Sequence, residues 1–494
     1  MKITNNKEPK SKRQKVKYEL LIFTVAVLFM FTLVILTKYI GSTDVGDYAD
    51  VAKFFSGDYL AKIRSSHSYS YGFINFPFVE LTHNFLGMKL MSIVWLILII
   101  LSLYFMSKKD KKILYLSLSA PIFWYMAPWI NPIQISSLFF LWGYHFIKRF
   151  NETNTKKYLF YSGIFVGFSM VFWNTMLYFS IILALCFLWN KKISHVFLFF
   201  FSLFVGFLPL LILDQVLFHF PLYSTFRWIF GTILNILGLT SGGGAEEKSL
   251  INILIVFIIF PIFSYVLFKP KNFSKDKQTS FFLIFSLLVI LTNPQIRYTL
   301  VLIPIIILNL KEKLTEKQIK TQIIISIILS LLVITPYLIQ INYSTNWRSF
   351  DSMIKNPLSS GISIIDKERL INEDLISISN DFPHSTFVVG NKDDDYQTLA
   401  HIYWGDKINE FVSIQDYKLY TENETIIFQK EFRPSFNINE RREIWITGGI
   451  SKKSPDTTNY GSIKYALSEE TEIDLNGFEL MKSYKILKVF EKKI

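Results

Sequence analysis

Long runs of apolar residues dominate the first two thirds of the chain. A run of about 18 or more apolar residues is typical of a helix that crosses a lipid bilayer. Apolar runs, several of them shorter than this, lie at 19–40, 88–106, 112–129, 132–147, 158–173, 174–189, 194–213, 250–268, 279–293, 296–310 and 321–341. The pattern predicts an α-helical polytopic membrane protein with about eleven transmembrane helices. Tight hairpins are expected at Pro128–Pro132, Trp173–Asn174 and Asn293–Pro294.

The positions of lysine and arginine predict how these spans are oriented. Basic residues crowd the N-terminal tail and then return in every second loop, at 108–112, 148–157, 191–192, 269–277 and 311–320. Because cytoplasmic loops carry an excess of Lys and Arg, we expect these segments to face the cytoplasm. The first span is too long for a signal peptide and has no small-residue cleavage site, so we expect it to be retained.

Composition divides the chain into three segments. We expect residues 1–18 to form a basic cytoplasmic tail. Residues 19–341 would form the transmembrane domain, with long outside loops at 41–87 and 214–249. Residues 342–494 carry more acidic than basic side chains, although the whole chain has a formal net charge of +13. The basic excess therefore belongs to loops that face anionic lipids, and it does not indicate a nucleic-acid partner.

The last segment, 342–494, has the pattern of a small soluble α/β domain on the extracytoplasmic side. Short β-rich runs at Thr386–Gly390, Phe411–Ile414 and Glu443–Thr447 predict strands. Residues 393–403 predict a helix that begins with three aspartates, which helix capping explains better than a metal site.

The first long loop carries the main candidates for chemistry. Asp44 and Asp47 follow the first span directly, and 45–55 has the pattern of an amphipathic helix on the membrane surface. A carboxylate at the membrane edge can act as a general base on an acceptor hydroxyl. It can equally cap the surface helix, so the residues alone leave the role of Asp44 open.

Three further charged residues lie at or near the predicted outer ends of later spans. Asp214 ends the seventh span, and Arg227 lies on the polar face of a possible interfacial helix whose main role would be membrane anchoring. Arg297 lies at the outer end of the tenth span. It can extend to the interface as a snorkelling side chain, or it can hold a lipid phosphate with its planar, permanently charged fork.

Four short motifs lie on this predicted side of the membrane. They are Asp44–Tyr48 with Ala49, Ala52 and Ser56–Asp58; Asn131–Pro132 with Leu138–Phe139; Asp214 with Phe218–Ser224; and Arg297–Tyr298 with Pro304. In this order they resemble the motifs of the polytopic glycosyltransferases of the GT-C superfamily. These enzymes use lipid-phosphate-linked sugars and include aminoarabinose transferases and dolichyl-phosphate-mannose protein mannosyltransferases. The chain departs from the family at Val45, where many relatives carry Glu, and at His219, where Gly is usual. It has no WWDYG-type motif.

The resemblance implies a transfer reaction with inversion at the sugar. Asp44 or Asp47 would deprotonate the acceptor, and Arg297 would stabilise the departing lipid phosphate. The resemblance adds substrate-binding candidates at Tyr48, Arg64, His67, Tyr71, Asp214, Arg227 and Tyr298. It implies no obligatory cofactor, although some family members bind a divalent metal ion.

The expected partners are a polyprenyl-phosphate sugar donor, membrane lipids and a glycan, lipid or protein acceptor, at the plasma membrane. Two alternatives stay open at this point. One is a transporter or flippase, although the spans carry few ionisable residues near their midpoints. The other is an inactive GT-C-like assembly protein. Neither the sugar nor the acceptor follows from the sequence.

Overall fold

The structure is a computed structural model of the 494-residue chain. It describes residues 10–37, 45, 48, 51–52, 55, 62–64, 69–82, 86–218, 220–226, 228–229, 276–292, 296–310, 314–338, 374–375, 377–383, 385–389, 410–414, 417–418, 445–447 and 463–493. The predicted span at 250–268, the predicted helix at 393–403, Asp44, Asp47, His67 and Arg227 lie outside these residues.

Helices account for most of the described part before residue 339. They are α1 Lys10–Leu36, α2 Tyr69–Thr82, α3 Leu86–Met106, α4 Lys111–Ser119, α5 Pro121–Met126, α6 Ile133–Thr153, α7 Lys156–Phe172, α8 Met176–Leu188, α9 Ile193–Phe218, α10 Lys277–Thr292, a 3₁₀ helix Ile296–Val301, α11 Ile303–Leu310 and α12 Glu316–Leu338. Among the described residues, α1, α3, α9 and α12 are long and apolar enough to cross a membrane. Their many exposed Leu, Ile and Phe side chains suit a lipid environment.

Two predicted spans are each broken into two shorter helices, and a proline explains both breaks. The prediction at 112–129 becomes α4 and α5, because Pro121 has no backbone N–H and forces Ala120 into an extended conformation (φ −69°, ψ 123°). Ser330 donates to the carbonyl of Ser119 at 2.8 Å, which satisfies a backbone group freed by the break. The prediction at 296–310 likewise becomes the 3₁₀ helix and α11, with Pro304 in the first turn of α11.

Two of the predicted hairpins are present as short turns. Helix α7 ends at Phe172 and α8 begins at Met176, so the chain reverses at Trp173–Asn174. At the other turn, the Asn131 side chain accepts a hydrogen bond from the backbone N–H of Ile133 at 3.0 Å. This bond satisfies one of the free donors at the start of α6.

Glycine permits the close packing of α7 against α9. A methyl group added at Gly163 would overlap the backbone of α9, and one added at Gly206 would overlap the carbonyl of Ile164. Small residues at such contacts let two helix backbones approach closely, which is a common way of packing helices inside membranes.

The described residues after 373 include a five-stranded mixed sheet. Its strands are β2 Thr386–Val389, β3 Glu410–Ser413, β5 Tyr465–Ser468, β6 Phe478–Ser483 and β7 Lys488–Lys492, in the order β3-β2-β5-β7-β6. Strands β3, β2 and β5 run parallel to one another, whereas β7 pairs antiparallel with both of its neighbours, β5 and β6. Strands β2, β3 and β4 (Trp445–Thr447) coincide with the three predicted strand segments.

A second, two-stranded sheet joins distant parts of the chain. Strand β1, Lys62–Arg64, lies in the first long loop and pairs antiparallel with β4, with Ile63 opposite Ile446. The backbone of this loop is therefore in contact with the C-terminal segment.

Candidate functional site

The first turn of α2 is where several elements meet, because its consecutive residues contact different parts of the fold. Tyr69 donates a hydrogen bond to Asp214 of α9, and the hydroxyl of Ser70 donates to the carbonyl of Val171 at the end of α7. Tyr71 shares a 2.9 Å hydrogen bond with the hydroxyl of Ser92 on α3. These contacts fix the start of α2 against three helices.

Asp214 is a fully buried carboxylate whose two oxygens both accept hydrogen bonds. Oδ1 accepts from Tyr69, while Oδ2 accepts from the backbone N–H of Ser224 at 3.2 Å and from its hydroxyl at 2.9 Å. Burial and the adjacent carboxylate raise the pKa of the Tyr69 phenol well above its usual range, so the phenol remains a donor. Asp214 thereby ties the first long loop to the start of the second.

The predicted surface helix of the first loop packs on residues 71–73 of α2. Its described positions, Val45, Tyr48, Val51, Ala52 and Phe55, are all helical. The first four are buried, as the amphipathic pattern predicts for one face of a helix. We call this segment the first-loop helix.

Aromatic side chains make the contacts between the first-loop helix and α2. The rings of Tyr48 and Tyr71 meet edge to face, with centroids 5.4 Å apart, and those of Phe55 and Phe73 meet at 4.8 Å. Such edge-to-face pairs add a favourable electrostatic contact to the area they bury. The position of the first-loop helix therefore depends on α2.

A row of aromatic rings leads to Arg297. The Arg297 guanidinium lies 5.4 Å from the centroid of the Tyr298 ring. Tyr298 in turn lies 5.2 Å from Trp173, and Trp173 lies 6.4 Å from Phe179 of α8. A guanidinium at this distance from an aromatic face is attracted by the ring quadrupole, which favours one orientation of the side chain.

The structure brings some of the predicted site residues together by direct contact. Tyr48 and Tyr71 touch, and Tyr71 is two residues from Tyr69, the partner of Asp214. Arg297 and Tyr298 form a separate contact beside the α7–α8 turn. Arg64 lies in β1, of which the backbone alone is described. Substrate binding by Tyr48, Arg64, Tyr71, Asp214, Arg297 and Tyr298 stays a prediction, as do the roles of Asp44, Asp47, His67 and Arg227.

Sequence reasoning missed several residues of this region. Trp173 had been interpreted as part of a turn, although an indole at a predicted membrane interface is a recognisable signal for contact with polar groups. Ser224 falls within a predicted motif, but the sequence predicts no contact of Asp214 with either Ser224 or Tyr69. Among the described residues, no group of three or more His, Cys, Asp and Glu side chains is placed to hold a metal ion.

Neither a protein-family model nor a curated protein sequence matches the chain. Solved structures do. ArnT from Cupriavidus metallidurans bound to undecaprenyl phosphate aligns with a TM-score of 0.59 and 13% identity, covering 96% of this chain and 97% of ArnT. The same protein in its apo state aligns with a TM-score of 0.55 and 11% identity over 97% and 98% of the two chains. The oligosaccharyltransferase of Archaeoglobus fulgidus aligns more weakly, with a TM-score of 0.41 and 11% identity over 92% and 69%.

The similarity to ArnT extends over nearly the full length of both chains, so it concerns the whole architecture. At this level of identity it establishes the fold alone. Together with the apolar helices it gives the protein a membrane location. The resemblance found in the sequence is thereby confirmed for the architecture: the chain has the fold of ArnT.

Proposed function

We propose that the protein is a membrane glycosyltransferase that moves a sugar from a polyprenyl-phosphate carrier to an extracytoplasmic acceptor, with inversion. The observation that carries the proposal is the full-length GT-C fold in which the motif residues of the first and second loops are tied together through Tyr69 and Asp214. The ArnT structure bound to undecaprenyl phosphate supports a lipid-phosphate donor. The proposal places the protein in the plasma membrane, with its N-terminus cytoplasmic and residues 342–494 outside.

In the proposed reaction an acceptor hydroxyl attacks the anomeric carbon of the donor. A carboxylate of the acidic motif, Asp44 or Asp47, takes the hydroxyl proton as general base. The bond between the anomeric carbon and the phosphate oxygen breaks, and its electron pair stays with the lipid phosphate. Attack from the opposite face inverts the sugar.

Arg297 is assigned to the leaving lipid phosphate. A guanidinium is permanently charged and matches the geometry of two phosphate oxygens, so its stabilisation increases as charge develops on the leaving group. The Tyr298 ring beside it supports this assignment, because a guanidinium held in one orientation loses less freedom when it binds.

The test is sugar transfer in membranes from a panel of radiolabelled polyprenyl-phosphate sugars to endogenous acceptors. Wild type should transfer at least one sugar, and Asp44→Asn, Asp47→Asn or the double variant should abolish transfer while the protein remains folded. Asp110→Asn is the matched control, because Asp110 caps α4 away from the site and Asn is an equally good cap. Full transfer by the double variant would remove the acidic motif from the mechanism, and no transfer by wild type from any donor would contradict the proposed function.

A further inference from the structure

The first-loop helix lies close to α2 at Gly72. A Cβ atom added at Gly72 would lie 2.5 Å from both Cβ and Cγ1 of Val51 and 2.9 Å from the backbone oxygen of Tyr48. Val51 is 1% exposed and Tyr48 6% exposed, so neither side chain can move aside into solvent. The missing side chain at Gly72 therefore determines how close the two helices lie.

Helix α2 is the fixed partner in this contact. On the N-terminal side of Gly72, its residues Tyr69, Ser70 and Tyr71 are hydrogen-bonded to Asp214, to Val171 and to Ser92, which belong to three other helices. The described contacts of the first-loop helix with α2 are apolar or aromatic, at Val51, Tyr48 and Phe55. A steric change at Gly72 should therefore displace the first-loop helix rather than α2.

From these contacts we infer that Gly72 is a positioning residue for the acidic motif, an inference that rests on the proposed function. Asp44 directly precedes Val45 and Asp47 directly precedes Tyr48, so both acids are covalently attached to positions of the helix that Gly72 seats. Non-bonded carbon atoms are stable at about 3.5–4.0 Å, so an alanine methyl group would push the helix away by about 1 Å. A displacement of about 1 Å in a reacting group can lower a rate by roughly a hundredfold.

The first measurement compares the kcat and donor KM of Gly72→Ala with those of Gly143→Ala. Gly143 offers a matched control, because its added Cβ would also lie 2.5 Å from a valine γ-carbon, that of Val166. It lies ten residues into α6, about 15 Å along the helix from the turn at Asn131–Pro132. We expect Gly72→Ala to lower kcat by about a hundredfold with a donor KM within threefold of wild type, and Gly143→Ala to retain kcat.

A rescue variant adds the methyl group on α2 and removes the opposing side chain on the first-loop helix. Gly72→Ala combined with Val51→Gly removes both of the atoms at 2.5 Å and should recover at least tenfold of the lost kcat. A loss of thermal stability alone would not produce this recovery, because glycine inside a helix is itself destabilising. Failure of the double variant to recover activity, or an equal loss of kcat in Gly72→Ala and Gly143→Ala, would overturn the inference.

A second readout does not depend on activity. Cysteines replace Phe55 and Phe73, whose rings are in contact, in a Cys186→Ser background that removes the single native cysteine. Reaction with a short bis-methanethiosulfonate cross-linker, from which each cysteine thiolate displaces methanesulfinate, should be several-fold slower when Gly72→Ala is added and unchanged when Gly143→Ala is added. If this shift occurs but wild type transfers no sugar, the proposed function fails while the steric contact stands; unchanged cross-linking in Gly72→Ala overturns the positioning itself.

Discussion

Removing the Asp214 carboxylate should destabilise the protein strongly. Asp214→Ala removes the carboxylate that accepts from three buried donors, namely the Tyr69 hydroxyl and the N–H and hydroxyl of Ser224. Each buried donor left unsatisfied costs about 1–3 kcal/mol. Because the cavity can relax and the three costs are not additive, we expect a total loss of roughly 3–5 kcal/mol, similar to other broken buried charge networks.

Tyr69→Phe separates one bond from this total. It removes one hydrogen bond to a charged acceptor and leaves the two from Ser224, so we expect a loss of about 1.5–3 kcal/mol. In the Asp214→Ala background the same change removes a hydroxyl that has already lost its carboxylate acceptor, so it should cost almost nothing. In a double-mutant cycle, the sum of the two single losses of stability should therefore exceed the loss in the double variant by about 1.5–3 kcal/mol.

The assay is the unfolding of purified protein in detergent, followed by tryptophan fluorescence at one fixed detergent concentration. Asp110→Ala provides the comparison, because loss of its bond to the Lys112 N–H at 2.9 Å should cost only about 0.5–2 kcal/mol, typical of a helix cap. Additive effects of Tyr69→Phe and Asp214→Ala would refute the reasoning, since they would mean that the two side chains do not stabilise one another.

Three further changes test other contacts. Gly206→Ala places a methyl group against a carbonyl of α7 and should destabilise the protein by about 1–3 kcal/mol in the same unfolding assay, since overpacked cores lose about that much. Trp173→Leu removes the ring behind Tyr298 and should raise the donor KM by a free-energy equivalent of roughly 0.5–1.5 kcal/mol, whereas Trp173→Phe should not. The Lys482 ammonium, which donates to Asp381, holds the pKa of that exposed carboxyl below its usual range. Its stabilising effect is present above the unfolded-state pKa, about 3.9, and is lost as the pH falls through the lower folded-state value, so Asp381→Asn should reduce the acid sensitivity of unfolding.

The positions of the helices could be predicted from hydrophobicity because the bilayer requires long segments of the chain to be apolar. The prediction at 88–106 corresponds to α3, and that at 158–173 corresponds to α7, each with ends that agree within about two residues, the usual margin of helix assignment. A segment that faces lipid must be apolar, so its composition alone is enough to identify it in the local sequence.

Pro121 and Pro304 are evident in the sequence, but the prediction from apolar composition treats each of the two segments as one continuous span. A proline inside an apolar run leaves the composition of the run unchanged while it removes a backbone donor. Whether the chain breaks or bends there depends on what satisfies the freed carbonyls. At the first break a partner is Ser330, more than two hundred residues away, so this partner cannot be deduced from local sequence.

The candidate site could be predicted residue by residue but not as an arrangement. The place of Asp214 at the end of a span predicts it as a site residue. Its hydrogen-bond partner Tyr69, however, is 145 residues earlier in the chain. No periodic pattern connects them, because a single hydrogen bond between two loops leaves no repeat in the sequence. For the same reason Gly72 carries no local signal: its importance comes from the backbone of Tyr48, which packing alone brings beside it.

The distribution of these contacts has a consequence for how the site tolerates change. Residues 69–73 contact α9, α7, α3 and the first-loop helix, so four elements meet at five consecutive residues. A substitution in this segment therefore disturbs the relation between elements rather than the interior of one helix. Because the proposed transfer reaction requires the base and the donor phosphate in one fixed geometry, the segment should be as sensitive to small steric changes as the acids are to loss of charge.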